Sequence, residues 1–152
     1  MSIRATVFAT ATLVAAIATG TAFAADPIET RKATMKAVGG AFGGVLVKMV
    51  KGETPYDAAA AKAAAATIVE KANAFDVAAF YPKGTETGGD TSASPKIWAD
   101  MAGFKSGVEK FRVAAAAQAP NADKGLDQLK AMVGELGKSC KGCHDEYRVQ
   151  KP

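Results

Sequence analysis

Apolar residues recur every three or four positions along four separate stretches of the chain, and nowhere do they alternate with a period of two. Ile28, Met35, Val38, Phe42, Val45 and Met49 form the first stripe, which ends at Gly52. Asp26-Pro27-Ile28-Glu29 opens it with an N-cap acceptor, a proline at the first helical position and an acid at the third. Thr54-Pro55-Tyr56-Asp57 repeats that start signal and predicts a second helix through an alanine-dense stretch to Phe75. Ser94-Pro95 opens a third, with Ile97, Trp98, Met101, Phe104, Val108 and Phe111 on its buried side, and Ala119-Pro120 closes it. The fourth starts near Asn121 to Asp123 and carries Leu126, Leu129, Val133, Leu136, Cys140, Cys143 and Tyr147 on one seam. Residues 78–94, with Pro82, Gly84, Gly88 and Gly89, read as one long loop. Four helices with two short connections and one longer one predict an all-α, antiparallel up-down-up-down four-helix bundle.

Composition changes this picture in two ways. The chain holds 34 alanines, and from Ala25 onward only 30 Val, Ile, Leu, Met, Phe, Trp and Tyr residues. That is thin for a bundle interior at normal packing density, and a buried cofactor would fill the space. Residues 1–24 are also set apart. Met1 to Arg4 supplies a positive start, Ala5 to Thr19 is an uncharged apolar run, and Ala22-Phe23-Ala24 is an A-x-A cleavage signal. The apolar run is shorter than the roughly 20 residues that span a bilayer, so a cleaved secretory signal is expected rather than an anchor. The expected product is a single periplasmic domain, residues 25–152, without stable membrane insertion. The net charge of +4 comes without a run of Lys and Arg interleaved with aromatics, so nucleic acid is not an expected partner.

The chemistry concentrates near the end of the chain. Cys140-Lys141-Gly142-Cys143-His144 is a C-x-x-C-H sequence, the attachment pattern for haem c. On a helix, spacings of three and four share one face. Two thiols can therefore add to porphyrin vinyl groups while the imidazole reaches the iron. A zinc site would need a fourth sulfur or nitrogen ligand, and after Cys140, Cys143 and the single histidine none is left. A thiol oxidoreductase places its C-x-x-C at a helix start, where the dipole depresses the thiol pKa, whereas this one lies deep in the last helix. A plain disulfide would leave His144 unexplained.

The iron's sixth ligand cannot be a second histidine, and methionine sulfur is the next candidate. Met132 lies on the same helix as His144, about 18 Å away. Met35, on the antiparallel first helix, falls about as far from the same end of the bundle as His144, and Met49 lies about 21 Å further along. Met101 is not excluded by this reasoning, and Met35 has the alternative of simple core packing.

Taken together, these features resemble the class II c-type cytochromes, the cytochrome c′ family. The resemblance covers essentially the whole chain after residue 24. Its supporting segments are Arg31-Lys32-Ala33-Thr34-Met35-Lys36, Lys51-Gly52-Glu53-Thr54-Pro55-Tyr56-Asp57, Thr87-Gly88-Gly89-Asp90, Ser94-Pro95-Lys96-Ile97-Trp98 and Cys143-His144-Asp145-Glu146-Tyr147-Arg148. It implies one covalently attached haem c per chain, a periplasmic location, and redox partner proteins there. Relatives also form homodimers through their first two helices, and the small-residue faces of 39–44 and 58–66 permit such an approach.

Two subclasses follow from the resemblance. In low-spin members a methionine at the position of Met35 is the sixth ligand and the protein carries single electrons. In high-spin members that face is blocked by an apolar side chain and five-coordinate iron binds nitric oxide or carbon monoxide. The expectation adopted is the low-spin electron carrier, not an enzyme, with the gas-binding cytochrome and a haem-free thiol oxidoreductase as alternatives. The resemblance further implies that Arg31 lies near the haem propionates. Lys32 stands where many relatives have glutamine and could still meet a propionate. Asp90 matches a loop acid near the haem edge, with a turn residue as its alternative.

Overall fold

The computed structural model describes residues 25–150, so the expected signal segment lies outside the described residues. Four long helices form the bundle. α1 runs Pro27–Val50, α2 Ala58–Asn73, α3 Met101–Gln118 and α4 Leu126–Tyr147. They pack as the up-down-up-down four-helix bundle that the periodicity predicts. Among the described residues the only β-type pairing is one isolated bridge between Ala93 and Arg148.

The first start signal is placed as expected: the Asp26 side chain accepts from Ile28 N at 2.7 Å, and Pro27 occupies the first turn. The second is displaced. Thr54-Pro55 lies outside the helix, and Asp57 is the cap, accepting from Ala60 N at 2.8 Å. The third is split: Lys96–Ala99 forms a single turn, and Asp100 then caps α3 by accepting from Gly103 N. The 78–94 loop opens with another short turn, Val77–Phe80, capped by Asp76. α4 begins at Leu126, later than expected, after Gly125 at φ +106°.

α1 departs from regular geometry in its middle. Gly40–Leu46 is π-helical between α-helical Pro27–Gly39 and Val47–Val50. A π-segment inserts a local change of register that re-aims the side chains on either side. α1 is long and apolar enough to cross a bilayer, but Val38, Ala41, Leu46 and Met49 are buried in the bundle core.

Two apolar clusters divide the interior. The larger joins α1, α2, α3 and α4 through Leu46, Ile68, Phe111, Leu129, Met132 and Leu136, with alanines 61, 64, 65 and 72 allowing close approach. The smaller consists of Phe75, Tyr81, Ile97, Phe104 and Val108, with Met35, Trp98, Met101, Cys143 and Tyr147 packed on it. Its rings meet edge to face, Tyr81 on Phe104 at 4.7 Å and Phe104 on Tyr147 at 5.2 Å. Several positions expected on the buried side sit further out than predicted: Leu126 is 36% exposed, and Trp98, Met101, Val133, Cys140, Cys143 and Tyr147 are half-buried.

Candidate functional site

A cavity of about 1000 Å³ lies where α1, the 75–93 segment, α3 and the end of α4 converge. That is the upper end of the usual range for ligand sites. Cys140, Cys143 and His144 all line it, as the shared helical face predicts. The two cysteines form no disulfide with each other, and both are half-buried. Burial pushes both thiols up from their ordinary pKa, the opposite of what an activated redox dithiol requires. The thiol oxidoreductase reading therefore loses its physical basis. Burial, helped by Arg148, pushes the His144 pKa down against the opposing pull of Asp145. A neutral imidazole with a free lone pair is the form that binds a metal.

Among the methionines, Met35 lines the cavity and Met49, Met101 and Met132 do not. Met49 and Met132 are instead packed in the larger core cluster. Met35, Val38, Phe42, Phe75, Phe104 and Phe111 all line the cavity, so much of its lining is apolar.

Arg31 is neither a solvated surface residue nor free to serve the cavity alone. It is 3% exposed. Nη1 donates to Phe80 O at 3.2 Å and Thr85 Oγ1 at 3.1 Å, and Nη2 to Thr85 O at 2.7 Å and Thr91 Oγ1 at 2.8 Å. The guanidinium lies 5.0 Å from the Tyr81 ring centroid and 5.5 Å from that of Trp98. Burial lowers its pKa, while Tyr81, Asp26 and Glu86 act the other way. Only Nε is left without a partner. Lys32 also reaches the loop, its Nζ donating to Glu29 Oε1 at 2.9 Å and to Gly89 O at 3.1 Å. Asp90 is exposed, sits at φ +55° in the turn and is among the residues lining the cavity.

Sequence reasoning missed Ser139. Its hydroxyl is buried without a partner, and the residue lines the cavity. Two orphaned polar atoms, Arg31 Nε and Ser139 Oγ, thus belong to residues lining the same apolar cavity as the two cysteines and the histidine. This is the donor set expected around a largely apolar group with a metal and a polar edge, and the residues present fit haem c.

The cytochrome C′ family model matches residues 26–148, nearly all of the described structure. The chain belongs to the cytochrome c′ family. It is 42% identical over 146 residues to a cytochrome c′ of Cereibacter sphaeroides, covering 93% of this chain and 96% of that one. It is 37% identical over 141 residues to a cytochrome c-556 of Agrobacterium fabrum, with 93% of each covered. Its fold matches the nitric oxide complex of a mutant cytochrome c′ from Alcaligenes xylosoxidans with a TM-score of 0.71 and 38% identity, covering 86% of this chain and 98% of that one. Members of this family bind one covalently attached haem c per chain. The comparisons support the family expectation but not the narrower one of a low-spin His/Met subgroup, and they favour the gas-binding alternative over the electron carrier.

Proposed function

We propose that this cytochrome c′ is a periplasmic gas-binding haem protein, taking nitric oxide or carbon monoxide at five-coordinate iron. Cys140 and Cys143 would hold the haem by thioether bonds, each S–H adding across one vinyl group, and His144 would bind the iron through its imidazole. When bound, the group supplies an iron position open to a diatomic ligand. The chain's own contribution is the enclosure. Met35, Phe42, Phe75, Phe104 and Phe111 give the cavity an apolar wall that disfavours water and leaves a small neutral molecule unpenalised. The observation that carries the reading is Met35 packed on the aromatic cluster as one apolar element among several, in a family that includes a solved nitric oxide complex. The exposed small-residue face of Gly39, Gly40, Gly43 and Gly44 fits a homodimer through the first two helices.

A second reading has one observation in its favour, since Met35 is the methionine that lines the cavity. In that case Met35 would ligate the iron and the protein would carry single electrons to periplasmic partners. Adding carbon monoxide to the reduced protein separates the two. The gas-binding reading predicts a broad reduced spectrum that changes on addition and is left essentially unaltered by Met35→Ala before the gas is added. Sharp reduced bands that ignore the gas in the native protein and collapse in Met35→Ala would establish the electron carrier instead.

A further inference from the structure

The loop that closes one side of the cavity has little structure of its own. Residues 82–92 form no helix or strand, and Gly84, Gly88, Gly89 and Asp90 all sit at positive φ. Yet Tyr81, Asp90, Thr91, Ser92 and Ala93 line the cavity, so this segment is a wall of the haem site. Its own hydrogen bonds are few, Thr91 N to Gly88 O, Thr85 Oγ1 to Pro82 O and Ala93 N to Thr91 Oγ1, and several tertiary bonds add to them. Four of these run from one side chain, Arg31, to Phe80, Thr85 and Thr91. Trp98, whose ring lies beside the same guanidinium, adds donations from Nε1 to Tyr81 O at 3.1 Å and Pro82 O at 3.2 Å.

We propose that Arg31 is a positioning residue that latches the 80–91 loop against the cavity and thereby governs how fast a diatomic ligand enters. A planar guanidinium can address several acceptors in fixed directions and stack on aromatic faces at the same time, which a lysine ammonium cannot. This differs from the role that family resemblance implies, a clamp on the haem propionates, because both Nη atoms are already committed to the loop. Nε alone remains for any such contact. The loop's conformation and the cavity's access are then coupled through one residue on α1.

The proposal rests on the gas-binding reading for its rate prediction but not for its structural one, and the test uses both. Haem-loaded wild type, Arg31→Lys and the double variant Thr85→Val with Thr91→Val are compared. The double variant removes two of the latch's acceptors, together with the loop's own bonds from Thr85 Oγ1 to Pro82 O and from Ala93 N to Thr91 Oγ1, while keeping the arginine, its charge and its Nε. Arg31→Lys leaves those loop bonds in place, so the latch requires faster exchange in both variants. Two quantities are read: hydrogen exchange in peptides covering residues 81–93, and the association rate of carbon monoxide with the reduced protein. Both variants should exchange at least about tenfold faster in that segment, on the scale set by losing buried hydrogen bonds, and should take up carbon monoxide several times faster. Wild-type exchange and wild-type rates in the double variant, with altered gas binding in Arg31→Lys, would overturn the latch and leave a direct charge effect on the haem. Faster exchange with an unchanged association rate would overturn the access role. If wild type takes up no carbon monoxide at all, the gas-binding reading fails on its own, and exchange in Arg31→Lys, which keeps the loop's own bonds, still supports or overturns the latch.

Discussion

Gly89 and Gly134 show how differently one residue type is used in this chain. Gly89 sits at φ +52°, and a Cβ there would come 2.8 Å from Ile28 Cγ2. Its carbonyl also receives Lys32 Nζ. Gly134 lies within α4 with open space where a Cβ would go. Gly89→Ala should therefore destabilise the protein by about 1–2 kcal/mol, the cost of a left-handed backbone for a residue with a Cβ. Gly134→Ala should stabilise it by about 0.5–1 kcal/mol through helix propensity alone. Urea unfolding midpoints at constant m-value check both signs. Gly103 is a third case, since a Cβ there would fall on the Asp100 carboxylate and the Tyr147 hydroxyl, which hydrogen-bond each other at 2.8 Å. Of the site residues, Cys140, Cys143, His144 and Met35 were legible because their positions follow from helical spacing and the bundle's antiparallel order. The use of Arg31 was not. Its partners Phe80, Thr85 and Thr91 lie 49, 54 and 60 residues away, and no local pattern encodes such contacts.

The elements were legible from their caps and stripes, and the errors have local causes. Thr54-Pro55 imitates a helix start, but Asp57, immediately before the alanine run, is the residue whose carboxylate meets a helical N–H. The third helix resets at Asp100, whose side chain binds Gly103 N and Tyr147 at once and joins the start of α3 to the end of α4. The π-segment Gly40–Leu46, which packs on α2 and α4, was not legible because Phe42 and Val45 continue the ordinary helical stripe through it. The junction of loop, α3 and α4 also carries a pH signature. Burial pushes Tyr81 up to about 12, and the hydrogen bond to Asp100 pushes Tyr147 to about 12 as well. Both pKa values lie above the unfolded value of about 10, so between these limits the folded state binds more protons than the unfolded one. Their stabilisation is complete below about pH 10 and is lost as pH rises towards about 12. Thermal melts across that window should show a falling midpoint, with a smaller fall in Tyr81→Phe. Equal falls in both proteins would contradict the burial of Tyr81.

At the scale of the whole molecule, a bundle poor in large side chains encloses a cavity of about 1000 Å³ rather than collapsing into alanine contacts alone. The shortage of large apolar residues anticipated that space, and the lone histidine restricted what could bind metal in it. Sequence alone did not decide between methionine as ligand and methionine as wall, because the two readings place Met35 at the same helical position. The structure packs Met35 on the cluster of Phe75, Tyr81, Ile97, Phe104 and Val108, and the proposed gas-binding function makes it wall rather than ligand. Iron held by the chain through His144 only is the coordination expected. Electron paramagnetic resonance of the oxidised, haem-loaded wild-type protein reads that coordination directly. A high-spin ferric signal that persists unchanged in Met35→Ala is the predicted result. A low-spin signal in the wild type that converts to high spin in Met35→Ala would show that the methionine sulfur binds the iron, and would contradict the account.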